Sequence, residues 1–305
     1  MTDLPRYTVI IITYNQEHLI QRALDSVLCQ NEQLYEIVVS DDCSTDGTWE
    51  AVKAYSDKYP HIIKPYRNKK NMGVFKNLAH AWEKVSGDII FTCAGDDILC
   101  SGLFDKANEL IVKNNIKYQK EDFVLLFDFK IFYTNGRERV FSNALVEKHN
   151  PLSLKIRNLI FNRTIGVSYS VHKKQYAVSE DLGIYTDGLL DIQCHRFAKN
   201  HYYMPFVGSV YYSDIGISSK TAEKKHYESR CLLMRRFQKE NYFSADDSQW
   251  LRFSELKYSY LLQPSLKKLR PYLAMFFKTF TFKYGLHFAT RQSWHFVKSL
   301  KALLK

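Results

Sequence analysis

The sequence predicts an α/β protein, a doubly wound sheet followed by a mainly helical, basic extension. Two observations carry the sheet. The runs Tyr7–Thr13, Glu36–Ser40 and Asp88–Cys93 are short and rich in β-branched residues, without the polar alternation of a half-exposed strand. Such runs suit strands buried on both faces, as in a parallel sheet. Between them lie stretches with apolar residues at helical spacing, and β-α-β-α-β alternation of this kind builds open sheets whose ligands bind at the carboxyl ends of the strands. A third observation carries the extension: after Ser219 the strand-like runs stop and the charge balance changes.

The elements follow in order. Gln16–Gln30 places Leu19, Ile20, Ala23, Leu24 and Val27 on one helical face. Ser44, Thr45 and Asp46 are capping residues for a helix running to about Tyr59. Gly73–Val85 reads as a third helix. Further on, Phe123–Tyr133, Ile165–Val171 and Phe206–Tyr212 read as strands, and Leu152–Phe161 and Asp187–Lys199 as helices. The C-terminal region reads as helices interrupted by Pro264 and Pro271. The expected boundary lies between residues 220 and 221, with no Gly/Ser-rich linker to mark it.

Composition narrows the function classes. The chain has 305 residues, 46% of them hydrophobic, which is enough to build a core without disulfide staples. Its six cysteines, Cys29, Cys43, Cys93, Cys100, Cys194 and Cys231, include no CxxC pair, a pattern that predicts free thiols in a reducing compartment. The N-terminal residues lack the layout of a signal peptide, and no apolar stretch approaches the ~20 residues that span a bilayer. The net charge of +11 is localised: residues 251–305 hold eleven Lys/Arg against one acid, Glu255. That distribution predicts an appended surface-binding element on a nearly neutral body, and excludes a basic nucleic-acid-binding domain.

Three strand ends carry the candidate chemistry. Thr13, Tyr14 and Asn15 follow the first strand, where an aromatic can stack a nucleobase and the polar pair can bond its edge; an ordinary surface turn is the alternative. Asp41 and Asp42 end the second strand. Adjacent carboxylates repel, so the pair calls for something that binds it. Gly95, Asp96 and Asp97 end the third apolar run, and hard divalent cations take one or two such carboxylates together with substrate phosphates. There is no P-loop and no GxGxxG, so a bound nucleotide would be held by acids and a cation.

Taken together, VIIITYNQ (Val9–Gln16), IVVSDDCSTDGT (Ile37–Thr48), NMGVFKN (Asn71–Asn77) and SGDIIFTCAGDD (Ser86–Asp97) resemble the family-2 glycosyltransferases of the GT-A fold. The resemblance covers residues 5–115 well and 120–220 more loosely, and stops there. It implies a Rossmann-like mixed sheet with nucleotide-sugar binding in 1–115 and the acceptor side in 116–220. It also implies a nucleotide-sugar donor, usually a UDP-sugar, a Mn²⁺ or Mg²⁺ ion, and single-displacement transfer with inversion. Carried over by position, Thr13, Tyr14, Asn15, Asp41, Asp42, Asn77 and Asp96 would bind the donor nucleotide, and Asp96 and Asp97 the metal. Ala94 stands where many relatives have an acid, so ligation would rest on those two.

The resemblance places the general base near the start of a helix in the second half of the domain. Asp187 is the positional match and Asp191 the runner-up; a literal Glu180-Asp181 pair precedes them. Asp214, in the segment Val210–Ser219, stands where relatives often place a last metal-ligating or phosphate-facing residue. Residues 264–305 interleave nine cations with aromatics, as an interfacial helix on anionic lipid does. The expectation is therefore an enzyme on the cytoplasmic face of the plasma membrane, acting on a glycan or lipid-linked acceptor in capsule or lipopolysaccharide synthesis. The competing readings are a sugar nucleotidyltransferase and a non-catalytic membrane-peripheral scaffold. The sequence does not speak to oligomeric state.

Overall fold

The computed structural model describes residues 4–30, 32–156, 165–182, 187–213, 215, 223–241, 243–263 and 265–279. The chain divides into two compact units, Met1–Lys220 and Thr221–Lys305.

In the first unit, β1 (Tyr7–Thr13), β2 (Leu34–Asp41), β3 (Ile63–Arg67) and β4 (Ile89–Ala94) are mutually parallel and joined by α1 (Ile20–Leu28), α2 (Thr48–Lys58) and α3 (Val74–Trp82). The chain continues through β5 (Ile98–Leu99), α4 (Leu103–Lys113), β6 (Phe123–Phe132), β7 (Glu138–Phe141), α5 (Pro151–Ile156), β8 (Ile165–Ser168), α6 (Tyr169–Leu182), α7 (Asp187–Phe197) and β9 (Asn200–Tyr212). Among the described residues these strands form one mixed sheet in the order β3-β2-β1-β4-β8-β6-β9-β5, with β7 hung on β6. This is the doubly wound sheet that the sequence predicts.

The unbroken apolar runs have a direct cause. Alternate residues of one strand enter two different cores. Val9 and Ile11 of β1 pack with Ile20, Leu24 and Val27 of α1, Val52 of α2, and Phe104, Ala107 and Ile111 of α4. Ile10, between them, faces the other way, onto Leu78, Ala81 and Trp82 of α3 and Leu190 of α7. With helices on both faces, neither side of the strand meets water, and at about 25 cal/mol per Å² of buried apolar surface both faces contribute.

The structure departs from the sequence expectations at several places, three of which have a clear physical cause or position. β3 carries Pro65 and sits at the sheet edge, where a missing amide donor is tolerated, so it reads poorly as a strand. The expected strand Ile165–Val171 ends at Ser168, where the chain turns into α6. In the second unit, α8 (Glu223–Phe237), α9 (Ala245–Leu262) and α10 (Leu266–Thr279) are helical as expected, but α10 runs through Pro271. Packing overrides the lost hydrogen bond there. Tyr272, next in sequence, is buried with its ring 5.5 Å from that of Phe253 and 6.0 Å from that of Tyr260. Residues 157–161 of the expected α5 lie outside the described residues, as do 280–305 of the basic extension. No helix among the described residues is long and apolar enough to cross a membrane.

Candidate functional site

Three neighbouring strands deliver the candidate residues to one edge of the sheet. β2, β1 and β4 run parallel in adjacent positions, with Thr13 in register with Asp41 and Ile12 with Ala94. Backbone bonds extend the register past the strand ends, Asp42 N donating to Thr13 O (2.9 Å) and Gly95 N to Ile12 O (3.0 Å). Asp42 and Gly95 therefore stand two strand spacings apart, about 10 Å, with Thr13–Asn15 between them.

The loops around this edge are tied to one another. Asn15 N donates to Ser44 Oγ (2.9 Å), and Asn15 Oδ1 accepts from Thr45 N (2.8 Å). Gln16 N donates to Thr48 Oγ1 (2.7 Å), and Glu17 Oε2 accepts from Gly47 N (2.7 Å). Asp46, one residue before the N-cap Gly47, accepts from Thr48 N (3.0 Å) at the start of α2. Gly95 lies so close to the first loop that a Cβ there would fall 2.5 Å from Gln16 Oε1 and 3.0 Å from Thr13 Oγ1. The loops after β1, β2 and β4 form one bonded assembly.

The two acids of β2 are buried and answered from within the chain. Asp41 accepts from Ser44 N (3.1 Å) and from the Ser44 hydroxyl, and pairs with Arg67 Nε (3.2 Å). Burial pushes its carboxyl above the ordinary value, against the pull of the Ser44 bonds and the Arg67 charge. Asp42 accepts from Asn68 Nδ2 (2.9 Å), Met72 N (2.9 Å) and Gly73 N (2.7 Å), and so closes the loop into α3. The adjacent carboxylates, which the sequence says need something that binds them, are each held by partners within the chain. Asn77 is buried beside them, its carboxamide bonded to Ser40 and Asn68. Thr13 Oγ1 bonds Gln16 Oε1 (2.8 Å). Tyr14, half-buried, is the residue of the set whose ring and hydroxyl have no partner among the described residues.

The acidic turn after β4 is nearly closed off from solvent, with Asp96 and Asp97 7% and 8% exposed. Asp97 Oδ1 accepts from Tyr212 N (3.2 Å), because β5 pairs with β9 and draws the turn onto the end of that strand. Burial, and then the charges of Asp97 and Asp96, push the thiol of Cys93 well above its ordinary value. Cys93 therefore stays protonated, and the ligands offered at this turn are hard oxygens. No third His, Cys, Asp or Glu joins the pair as a metal cluster among the described residues. Two carboxylates with the remaining positions left to phosphate and water is an arrangement that suits Mg²⁺ or Mn²⁺.

Residues 8–117 match the model of the family described as Glycosyl transferase family 2. Over this stretch, about a third of the chain, the sequence is similar to the family-2 glycosyltransferases. The putative glycosyltransferase EpsE of Bacillus subtilis is 35% identical to the chain over 98 residues, 32% of this chain and 35% of that protein. The Campylobacter jejuni GalNAc(5)-diNAcBac-PP-undecaprenol beta-1,3-glucosyltransferase is 30% identical over 155 residues, 49% of this chain and 41% of that one. The chain thus spans well under two thirds of either relative. Among solved structures, Staphylococcus aureus TarS 1–349 in complex with UDP-GlcNAc superposes with a TM-score of 0.64 at 20% identity. That match covers 88% of this chain and 79% of TarS 1–349. The mannosyltransferase PcManGT of Pyrobaculum calidifontis, in complex with GDP-Man and Mn²⁺, superposes with a TM-score of 0.57 at 17% identity, covering 98% and 81%. The fold is that of the GT-A glycosyltransferases.

The remaining predicted residues of the glycosyltransferase fold are placed as follows. Asp187 is the first residue of α7. Asp191, one turn on, is engaged by Lys155 Nζ at 2.6 Å. The Glu180-Asp181 pair lies near the end of α6. Asp214 lies outside the described residues. Sequence reasoning missed Arg67, Arg22 and Tyr212. Each touches a candidate aspartate from another element, and nothing in local spacing marks such a contact.

Proposed function

We propose that the chain transfers a glycosyl group from a nucleoside diphosphate sugar, most readily a UDP-sugar, to a hydroxyl of a glycan or lipid-linked acceptor in surface polysaccharide synthesis. The observation that supports this reading is that Tyr14, Asp42, Asp96 and Asp97 follow the ends of three adjacent strands. The base stacks on Tyr14, and the edge of the base and the ribose face the loops that Asp41, Asp42 and Asn77 hold in place. Asp96 and Asp97 hold Mn²⁺ or Mg²⁺, which when bound offsets the charge developing on the departing diphosphate. Asp187 takes the proton from the acceptor hydroxyl. The acceptor oxygen bonds to the anomeric carbon as the bond from that carbon to the diphosphate oxygen breaks. The electron pair leaves with the diphosphate, and the configuration inverts.

Asp187 is preferred over Asp191 as the base because Lys155 already holds the Asp191 carboxylate. The acceptor class draws support from two relatives, one named for a PP-undecaprenol-linked glycan and one a Bacillus spizizenii poly(ribitol-phosphate) beta-glucosyltransferase. The basic residues of 264–305 would hold the enzyme on the anionic inner face of the plasma membrane, where such acceptors are carried.

A thermal-shift screen of UDP, GDP and dTDP, each with Mn²⁺ and with EDTA, tests the donor reading. Metal-dependent stabilisation by one nucleotide is expected. No stabilisation by any of them would favour a scaffold without a working donor site.

A further inference from the structure

α1 carries a polar stripe that faces the acidic turn. Arg22 and Ser26 stand at four-residue spacing on one side of the helix, and Gln30 follows two residues past its end. Each bonds successive parts of the segment after β4. Arg22 Nη2 donates to Asp96 O (2.7 Å), Ser26 Oγ accepts from Leu99 N (3.1 Å), and Gln30 Nε2 donates to Cys100 O (3.1 Å). Arg22 also reaches across to β9, its Cζ 3.8 Å from the centroid of the Tyr212 ring. The amide of Tyr212 in turn bonds Asp97 Oδ1. The guanidinium thus joins a helix, the acidic turn and the end of β9. It bonds the carbonyl of Asp96 and makes no ion pair among the described residues, while its Nε is buried without a hydrogen-bond partner.

We infer that Arg22 is a positioning residue, which locks the turn of Asp96 and Asp97 to Tyr212 and so sets how tightly that turn holds a divalent cation beside the donor diphosphate. This rests on the donor site proposed above. Two effects of Arg22 on a cation oppose each other. As a positive charge near two carboxylates it weakens cation binding; as a clamp on the turn that carries them it strengthens it by preorganisation. A part-buried charge-assisted bond together with a close cation–π contact makes the clamp the larger effect.

The two effects give opposite signs in one measurement. Mn²⁺ binding is followed by electron paramagnetic resonance in the presence of saturating UDP, for wild type, Arg22→Gln and Arg22→Lys, with nucleotide release measured in parallel. Loss of the clamp is expected to weaken Mn²⁺ binding by about tenfold in Arg22→Gln, corresponding to roughly 1.4 kcal/mol. UDP affinity in EDTA should stay within about twofold, because the loops after β1 and β2 are untouched. Arg22→Lys, which keeps the charge over Tyr212 but not the planar fork, should fall between the two. Unchanged or tighter Mn²⁺ binding by Arg22→Gln overturns the inference. If Arg22→Gln does not fold, the same titration on Tyr212→Leu decides, with weakening expected and no change contradicting. Failure of wild type to bind Mn²⁺ with UDP overturns the donor-site reading itself, and is recognised by its independence of any variant.

Discussion

At the scale of single residues, the site combines strain with tightly bonded acids. Cys43 has φ of +62°, a left-handed conformation that side chains bearing a Cβ resist and glycine adopts freely. Cys43→Gly is expected to stabilise the protein by up to about 1 kcal/mol, the relief of strain exceeding the added freedom of the unfolded chain, seen as a higher midpoint in urea. Asn15, also left-handed at φ +50°, is a residue that tolerates this region, and its side chain is used to bond the neighbouring loop. The two candidate bases divide in the same way. Asp187→Asn should abolish transfer while leaving UDP stabilisation intact, whereas Asp191→Asn should act mainly by freeing Lys155, with a milder loss of turnover. Transfer by Asp187→Asn at the wild-type rate would exclude it as the base.

At the scale of elements, close approaches and buried imidazoles set the tolerances. Gly95 brings the loop after β4 against Thr13 and Gln16, and a methyl group there meets Thr13 Cβ at 3.1 Å as well as the Gln16 amide. Gly95→Ala should therefore cost about 1–3 kcal/mol and weaken metal-dependent UDP binding with it. His172 of α6 lies beneath Trp82 of α3, its Nε2 3.2 Å from Trp82 O, and burial lowers its pKa from 6.5 to about 4. His201 of β9, 3.1 Å from His195 of α7, is likewise lowered to about 4 by burial. Both are neutral when folded, while the unfolded chain takes up a proton as pH falls through 6.5. Stability is thus fully present above 6.5 and declines toward pH 4, by roughly 3 kcal/mol per group. Unfolding midpoints measured between pH 7 and 4 should fall, and His172→Phe should flatten part of that slope.

These elements also mark where the sequence was legible. β1, β2 and β4 could be read because their burial on both faces writes itself into continuous β-branched runs, and the site residues follow directly at their ends. β3, with Pro65, and β5, two residues long, take their identity from pairing with distant strands, which local pattern does not encode. The same is true of Arg67 on Asp41 and Tyr212 on Asp97. The roles of Asp42 and Asn77 in bonding the loop before α3 were likewise hidden, since spacing shows where an acid stands and not what it accepts from.

At the scale of the molecule, the charge is segregated. The +11 total lies almost wholly in residues 251–305. Part of that region is an ordinary core: Glu255 is held by Arg235 (3.0 Å) and Arg252 (2.7 Å), and Tyr272 is buried within the second unit. The membrane proposal therefore falls on the remaining cations. Replacing Lys298, Lys301 and Lys305 with glutamate should release the protein from vesicles containing anionic lipid, by about 1 kcal/mol per removed charge, and leave binding to neutral vesicles unchanged. Co-sedimentation measures both, and equal binding to the two vesicle types by wild type would contradict an electrostatic anchor.

The claim on which the rest depends is that carboxylates after β4 and an aromatic after β1 serve one activated sugar. Anomalous scattering from Mn²⁺ in crystals grown with UDP locates the ion directly. The account predicts a single strong peak in coordinating contact with Asp96 or Asp97 and with the diphosphate, with the uracil against Tyr14. A peak elsewhere, or UDP bound away from these strand ends, would contradict it.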